Sequence, residues 1–409
     1  MINRFITNQL LEALKDRPVV FLNGARQVGK STLVQWLSRH QVEAAYFTLD
    51  DINVLSAVQS DPVGFLSGIN GPVILDEIQR APQLFLSIKA AVDSNRLPGQ
   101  FLLTGSSHVM TLPTLSQALV GRMAILPLFP LSTGEIIGNH FNFVDHAFSN
   151  DAYDLSDSTI SLTDIVSMIR KGGFPEIAQL KSDIHRTAWF NDYLNTIIQR
   201  DVKDISNIIG LTDLPQLIRL LAAQSGQLLN VANLSRKTGV EQKTLKRYII
   251  LLESIFMIRR LPAWFSNIGK RLIKSPKIYF NDTGLLSHML GVNTKNTPPE
   301  TIGLMLENYL LLELLKMASW CSQNVDFYYY RTAGGVEVDI IMENSAGKIV
   351  AMEVKRSATL KPNAIRGIKD LQTVLGNKFH RGIIFYTGSI VIPLDKNIHA
   401  VPIGFLMSH

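Results

Sequence analysis

The sequence predicts an α/β fold whose amino-terminal part is a parallel sheet, and three observations predict it. Residues 24–31, Gly-Ala-Arg-Gln-Val-Gly-Lys-Ser, form a glycine loop between an apolar strand at 18–22 and a helical run at 32–37. Apolar β-forming runs then alternate with runs of helical period to about residue 135. One of those strands, 73–75, ends in two adjacent carboxylates, Asp76 and Glu77. Alternation of strand and helix implies a parallel sheet with its site at the strand C-termini.

The glycine loop fills every fixed place of G-x-x-x-x-G-K-[ST] and stands in the strand-loop-helix context that pattern requires. Backbone N–H groups of Gly24, Ala25, Gln27, Val28 and Gly29, with Thr32 beginning the helix, can turn toward phosphates, and the helix N-terminus adds positive potential. Lys30 can reach the β- and γ-phosphates, and the Ser31 hydroxyl can hold Mg²⁺. ATP and Mg²⁺ are therefore the expected ligands. A second strand is expected at 45–49, and a helix at 82–94 places Leu84, Phe85, Ile88 and Val92 on one face. Asp76 at its strand end suits Mg²⁺, and Glu77 suits activation of the attacking water, a division that fits hydrolysis. The next strand, 101–103, ends in Thr104, Gly105, Ser106 and Ser107. These hydroxyls can contact the γ-phosphate or water, or merely cap a helix. Arg122, before a strand at 123–126, can reach a neighbouring subunit's ATP or stand as a surface arginine.

Residues 142–163 are polar and rich in Asp and Ser, which predicts an exposed loop or linker. The pattern from 162 to about 210 is helical. Arg200 within it reads as an ATP sensor or as the partner of Asp201 or Asp204. From 213 to about 280 the sequence predicts a winged helix: helices at 214–224, 231–238 and 241–253, a turn at Gly239, then a hairpin of 256–261 and 277–280. The third helix buries Leu245, Tyr248, Ile249 and Leu252 and presents Lys243, Lys246 and Arg247. Lys270, Arg271 and Lys274 make the wing basic. Such a surface can bind phosphates and enter a DNA groove, or serve protein contacts with its charges solvated.

The C-terminal stretch carries a second chemistry. Strands are expected at 328–331, 335–342, 348–355 and 382–386. Glu353 and Lys355, two apart, face one side of a strand, and Asp339 lies on the preceding hairpin strand. Two carboxylates can hold Mg²⁺ while the lysine orients water. Glu307, on an upstream helix, fits as an added ligand. This set resembles the PD-(D/E)xK nuclease pattern, although Glu-Val rather than Pro precedes Asp339. An active metal-dependent nuclease and an inactive fold retained for binding both remain open.

Residues 1–135 resemble an AAA-type ATPase core. The whole chain resembles a prokaryotic family of such ATPases with a C-terminal domain of unknown function, through Leu22–Thr32, Leu75-Asp76-Glu77-Ile78-Gln79, Leu103–Ser107, Gly172-Gly173-Phe174-Pro175-Glu176, Gln199-Arg200-Asp201 and Tyr279–Leu285. The resemblance implies the ATPase fold and a homo-oligomer, a hexameric ring among the possibilities. With the residue patterns above, the expected architecture is ATPase core (1–135), helical lid or linker (136–212), winged helix (213–285) and restriction-endonuclease-like α/β domain (286–409).

Bulk properties point to a cytoplasmic enzyme. The 409 residues are 46% hydrophobic with formal net charge +6, mildly basic and permissive of nucleic acid. No window approaches the roughly 18 apolar residues of a membrane span, and the N-terminus lacks a signal peptide's apolar core. Cys321 is the only cysteine, which fits a packing role in a reducing compartment. Three functions are compatible with all of this: an ATP-gated DNA nuclease, a nucleotide-gated switch that binds DNA or a partner without cutting, and a protein remodeller.

Overall fold

The computed structural model describes residues 2–106, 119, 121–151, 160–198, 213–267, 269, 271, 274–292 and 297–408. Arg200, Asp201, Asp204, Ser107 and Lys270 lie outside the described residues. The chain divides into two compact units, residues 1–130 with 252–257, and 131–251 with 258–409.

The first unit is built on five strands, β1 (Val19–Asn23), β2 (Ala45–Thr48), β3 (Val73–Asp76), β4 (Phe101–Gly105) and β5 (Met123–Pro127). They pair in the order β2-β3-β4-β1-β5 and run parallel throughout. β1, β3 and β4 are buried along their whole length, as their continuous apolar runs require of strands covered on both faces. The helix Leu84–Ser94 buries Leu84, Phe85, Ile88 and Val92, the four positions its helical spacing predicts. Because β4 lies between β1 and β3, its last residues stand between the glycine loop and the two strand-end carboxylates.

The second unit begins with short helices. The stretch expected as an exposed loop contains the helix Phe143–Phe148, capped by the Asn142 side chain. Phe143 and Val144 are fully buried, and the Phe143 ring packs 5.2 Å from Phe385 and 6.2 Å from Phe405. Apolar burial outweighs the polar flanks here. Helices Leu162–Lys171, Pro175–Gln179 and Asp183–Thr196 follow. Asp282 ties this part to later sequence: its carboxylate accepts N–H groups from Gly173 at 2.7 Å and Leu285 at 2.8 Å.

Helices Leu214–Ala223, Val231–Thr238 and Gln242–Ser254 precede a hairpin of β6 (Ile258–Leu261) and β7 (Lys277–Phe280). A six-stranded mixed sheet closes the chain: β8 (Val325–Arg331), β9 (Glu337–Asn344), β10 (Ile349–Val354), β11 (Phe379–Tyr386), β12 (Ile392–Asp395) and β13 (Ile398–Pro402), in the order β12-β13-β11-β10-β9-β8. β10 and β11 are parallel, and the helix Arg366–Leu375 makes the crossover between them. The long helix Pro299–Ala318 grips the outer edge of β7. Asn308 accepts from Phe280 N–H and donates to Phe280 C=O, both at 3.0 Å.

Candidate functional site

The glycine loop leaves β1 in a conformation only certain residues permit. A Cβ on Gly24 would collide with the Leu128 carbonyl, and Gly29 sits at φ 93°, in the left-handed region that suits glycine. Gln27 also adopts positive φ, 61°, a strained choice for a side-chain-bearing residue and a sign of a loop shaped for a ligand. Lys30 is buried and donates to the carbonyls of Gly24 (3.0 Å) and Ala25 (2.8 Å), folding its ammonium back over the loop. Val28 is buried, and its carbonyl accepts from Arg4 at 2.7 Å. Ser31 is partly exposed and Thr32 exposed at the start of the helix Lys30–His40.

At the ends of β3 and β4 the predicted residues come together. Asp76 is 2% exposed. It accepts hydrogen bonds from Thr104 Oγ1 and, at 2.8 Å, from Tyr46 OH, both neutral donors. Burial pushes the Tyr46 phenol up to about 12, so it remains a donor. A buried carboxylate served by neutral hydroxyls fits Mg²⁺: Asp76, with the hydroxyl of Ser31 at the helix start, would hold it. Glu77 has φ 59°, and its N–H donates to Thr104 Oγ1 at 3.0 Å. Its carboxylate accepts from Gln79 Nε2, which also contacts Ser106 Oγ at 3.1 Å. Tyr46 and Arg4 have no role in the sequence reading, and Gln79 enters it only as the last residue of the phrase Leu75-Asp76-Glu77-Ile78-Gln79. Gln79 carries the only local signal, lying two residues beyond Glu77.

Arg122 lies just before β5, at the end of the strands opposite the glycine loop. Its carbonyl accepts from Val19 N–H at the start of β1, and its Nε meets Asp93 at 2.6 Å. The fold does not bring it to this chain's own loop.

In the second unit, Lys243, Lys246 and Arg247 are exposed on the helix Gln242–Ser254, opposite buried Leu245, Tyr248 and Ile249. Arg271 departs from the expectation of a free DNA contact. Its guanidinium packs 4.7 Å over Tyr328 and 5.3 Å from Trp264, and pairs with Glu343 at 2.7 Å. Aromatic stacking and a carboxylate engage it within the fold.

The nuclease-like residues do approach one another. Glu307, Asp339 and Lys355 line a cleft of about 810 Å³ with Arg356, Lys361 and Asn363. Glu353 is buried and pairs with Lys355 at 2.6 Å. Asp339 accepts from Val354 N–H at 2.9 Å. An unexpected residue stands among them. Lys277 Nζ, 3% exposed, lies 2.8 Å from Glu337, 3.0 Å from Glu307 and 3.6 Å from Asp339. Burial works against its charge, and the three carboxylates more than offset that, raising its pKa. Burial, reinforced by Asp339, pushes Glu307 up to about 7. Among the described residues no group of three His, Cys, Asp or Glu is placed to hold a metal ion; the expected ligands Glu307 and Asp339 are engaged by Lys277, and Glu353 by Lys355. In the sequence Lys277 figures only as the first residue of the expected hairpin strand 277–280, with no role at this cleft.

Residues 16–137 match an AAA domain family, and residues 162–296 and 302–406 match two domains of unknown function, DUF8612 and DUF4143. Uncharacterized proteins of Mycobacterium tuberculosis (Rv2008c) and Mycobacterium bovis (Mb2031c) are each 31% identical over 96% of this chain and 82% of theirs. An uncharacterized protein of Methanocaldococcus jannaschii (MJ1544) is 24% identical over 98% of this chain and 89% of its own. Among solved structures, the RuvB Holliday junction branch migration motor of Thermotoga maritima aligns at 20% identity over 63% of this chain and 89% of that one, with a TM-score of 0.31. Among the described residues no helix is long and apolar enough to cross a membrane. The chain belongs to the family of the two mycobacterial proteins, and its residues 16–137 are an AAA-type ATPase domain.

Proposed function

We propose that this protein is an oligomeric, ATP-hydrolysing switch that contacts DNA through the helix Gln242–Ser254 and does not cut it. The observation that carries the ATPase half is the meeting of Asp76, Glu77, Thr104 and Ser106 at adjacent strand ends across from the glycine loop. Bound Mg²⁺ would neutralise charge on the β- and γ-phosphates. The chain's own residues do the rest. Lys30 leaves the Gly24 and Ala25 carbonyls for phosphate oxygens. Thr104 fixes Asp76 through its hydroxyl and Glu77 through the backbone. Glu77 takes the proton of the attacking water, steadied by Gln79 against Ser106. Arg122, remote from its own loop, serves a neighbouring subunit's ATP.

Three exposed cations within two helical turns, Lys243, Lys246 and Arg247, support the DNA contact. We read the region from 213 to 285 as a winged helix and that from 286 to 409 as a nuclease-like fold without cleavage. The test is an ATPase assay with and without duplex DNA, alongside electrophoresis of the same DNA in Mg²⁺ and Mn²⁺. The expected result is retarded, intact DNA and faster hydrolysis. Absence of retardation at low salt overturns the DNA contact.

A second reading, metal-dependent cleavage, draws on the shared cleft of Glu307, Asp339 and Lys355. It predicts fragments in Mg²⁺ or Mn²⁺ that disappear in Asp339→Ala.

A further inference from the structure

We infer that Lys277 is the resident cation of the acidic cleft, occupying with its ammonium group the space a divalent metal ion would need between Glu307, Glu337 and Asp339. The inference rests on the non-cleaving reading above and names the residue responsible for it. Three carboxylates surround Nζ at 2.8, 3.0 and 3.6 Å. Those are ammonium–carboxylate distances, whereas Mg²⁺ sits about 2.1 Å from its oxygens and keeps several waters. Both cations cannot stand in that space at once.

Lys277 is also not a surface side chain that happens to lean inward. It opens β7, whose register is fixed on both edges. Leu261 opposes it across the hairpin, and Asn308 clamps Phe280 on the other side. With a period of two, Lys277 and Tyr279 point the same way, and Tyr279 OH donates to the same Glu307 oxygen, at 2.6 Å, that Lys277 meets. The same helix supplies both Glu307 and Asn308, so the residue that sets the register and the carboxylate that receives Lys277 move as one piece. Lys355, the lysine the nuclease pattern does supply, is already paired with Glu353. Each carboxylate of the pattern thus has a partner within the chain, Asp339 through Lys277 and the Val354 N–H.

The experiment is a Mn²⁺ titration of the full-length chain without nucleotide, read by electron paramagnetic resonance of free Mn²⁺. Asp76→Asn is present throughout to silence the first unit's carboxylate. With Lys277 intact, no stoichiometric site is expected. Adding Lys277→Met should create one, with affinity raised about tenfold or more as three carboxylates lose their internal cation, and Asp339→Asn should then remove it. Removing one partner of buried charges can unfold a protein. The companion variant Lys277→Met/Glu337→Gln therefore leaves one fewer unpaired charge, and restoration of its melting transition by Mn²⁺ counts as the same gain. A stoichiometric site in the Lys277 chain that Asp339→Asn abolishes overturns the inference. So does a folded Lys277→Met chain that gains none. DNA fragments from the unmodified protein would instead overturn the non-cleaving reading, so the two failures are told apart.

Discussion

At the end of β3, Asp76 is held by hydroxyls from Tyr46 and Thr104; in the second unit, Asp339 shares one ammonium with Glu307 and Glu337. Both are carboxylates near the end of an interior strand, and both belong to patterns associated with Mg²⁺. Neutral donors orient Asp76 without cancelling its charge, so a cation still gains from binding there. Lys277 cancels much of the charge in the other cluster before any ligand arrives. A motif's residues can be present and close together, and the chemistry still depends on what balances them.

The sharpest way to break that comparison is Lys30→Ala. If the glycine loop is the engine, ATP hydrolysis should fall below detection in a coupled phosphate-release assay, with DNA retardation at low salt kept. Glu77→Gln comes next. Turnover should drop about 10²- to 10⁴-fold, the range for loss of a general base, while fluorescent ATP analogues still bind; an unchanged rate would assign the base elsewhere. The basic surfaces give a third contrast. Alanine at Lys243, Lys246 and Arg247 together should lower the slope of log affinity against log salt by about 3, near 0.9 per lost phosphate contact. Arg271→Ala should leave that slope alone and lower unfolding stability by about 1–3 kcal/mol through its lost stacking and ion pair. Equal salt slopes for both changes would return Arg271 to the DNA surface. The smallest effect belongs to Tyr46→Phe. Loss of one hydrogen bond to Asp76, about 1 kcal/mol, should raise the Mg²⁺ needed for half-maximal hydrolysis roughly fivefold.

The first site was legible because its parts are local. Strand, loop and helix follow one another between residues 18 and 37, and each strand end carries its own polar residues. Parallel order then brings Asp76 and Thr104 together without further information. Tyr46 was not visible, since it meets Asp76 through the β2–β3 neighbourhood. The second cluster was legible in its hairpin residues, Asp339, Glu353 and Lys355, and in Glu307. Lys277 arrives from a different hairpin thirty residues before Glu307, and nothing in its local sequence separates it from the exposed Lys274 nearby. Arg271 misled for the same reason: its aromatic partners, Trp264 and Tyr328, converge only after folding. The helix Phe143–Phe148 is too short for helical period to stand out among polar neighbours, and tertiary burial of Phe143 makes it.

The grip of Asn308 on Phe280 has a consequence for association. A two-stranded ribbon ordinarily leaves an outer row of amides open to any passing extended chain. Here that row is filled from within: Ile278 exchanges hydrogen bonds with Gly226 and Gln227, and a single carboxamide completes the row at Phe280. The ribbon is therefore sealed against strand addition there, and a foreign β-strand would have to displace a helix to join it.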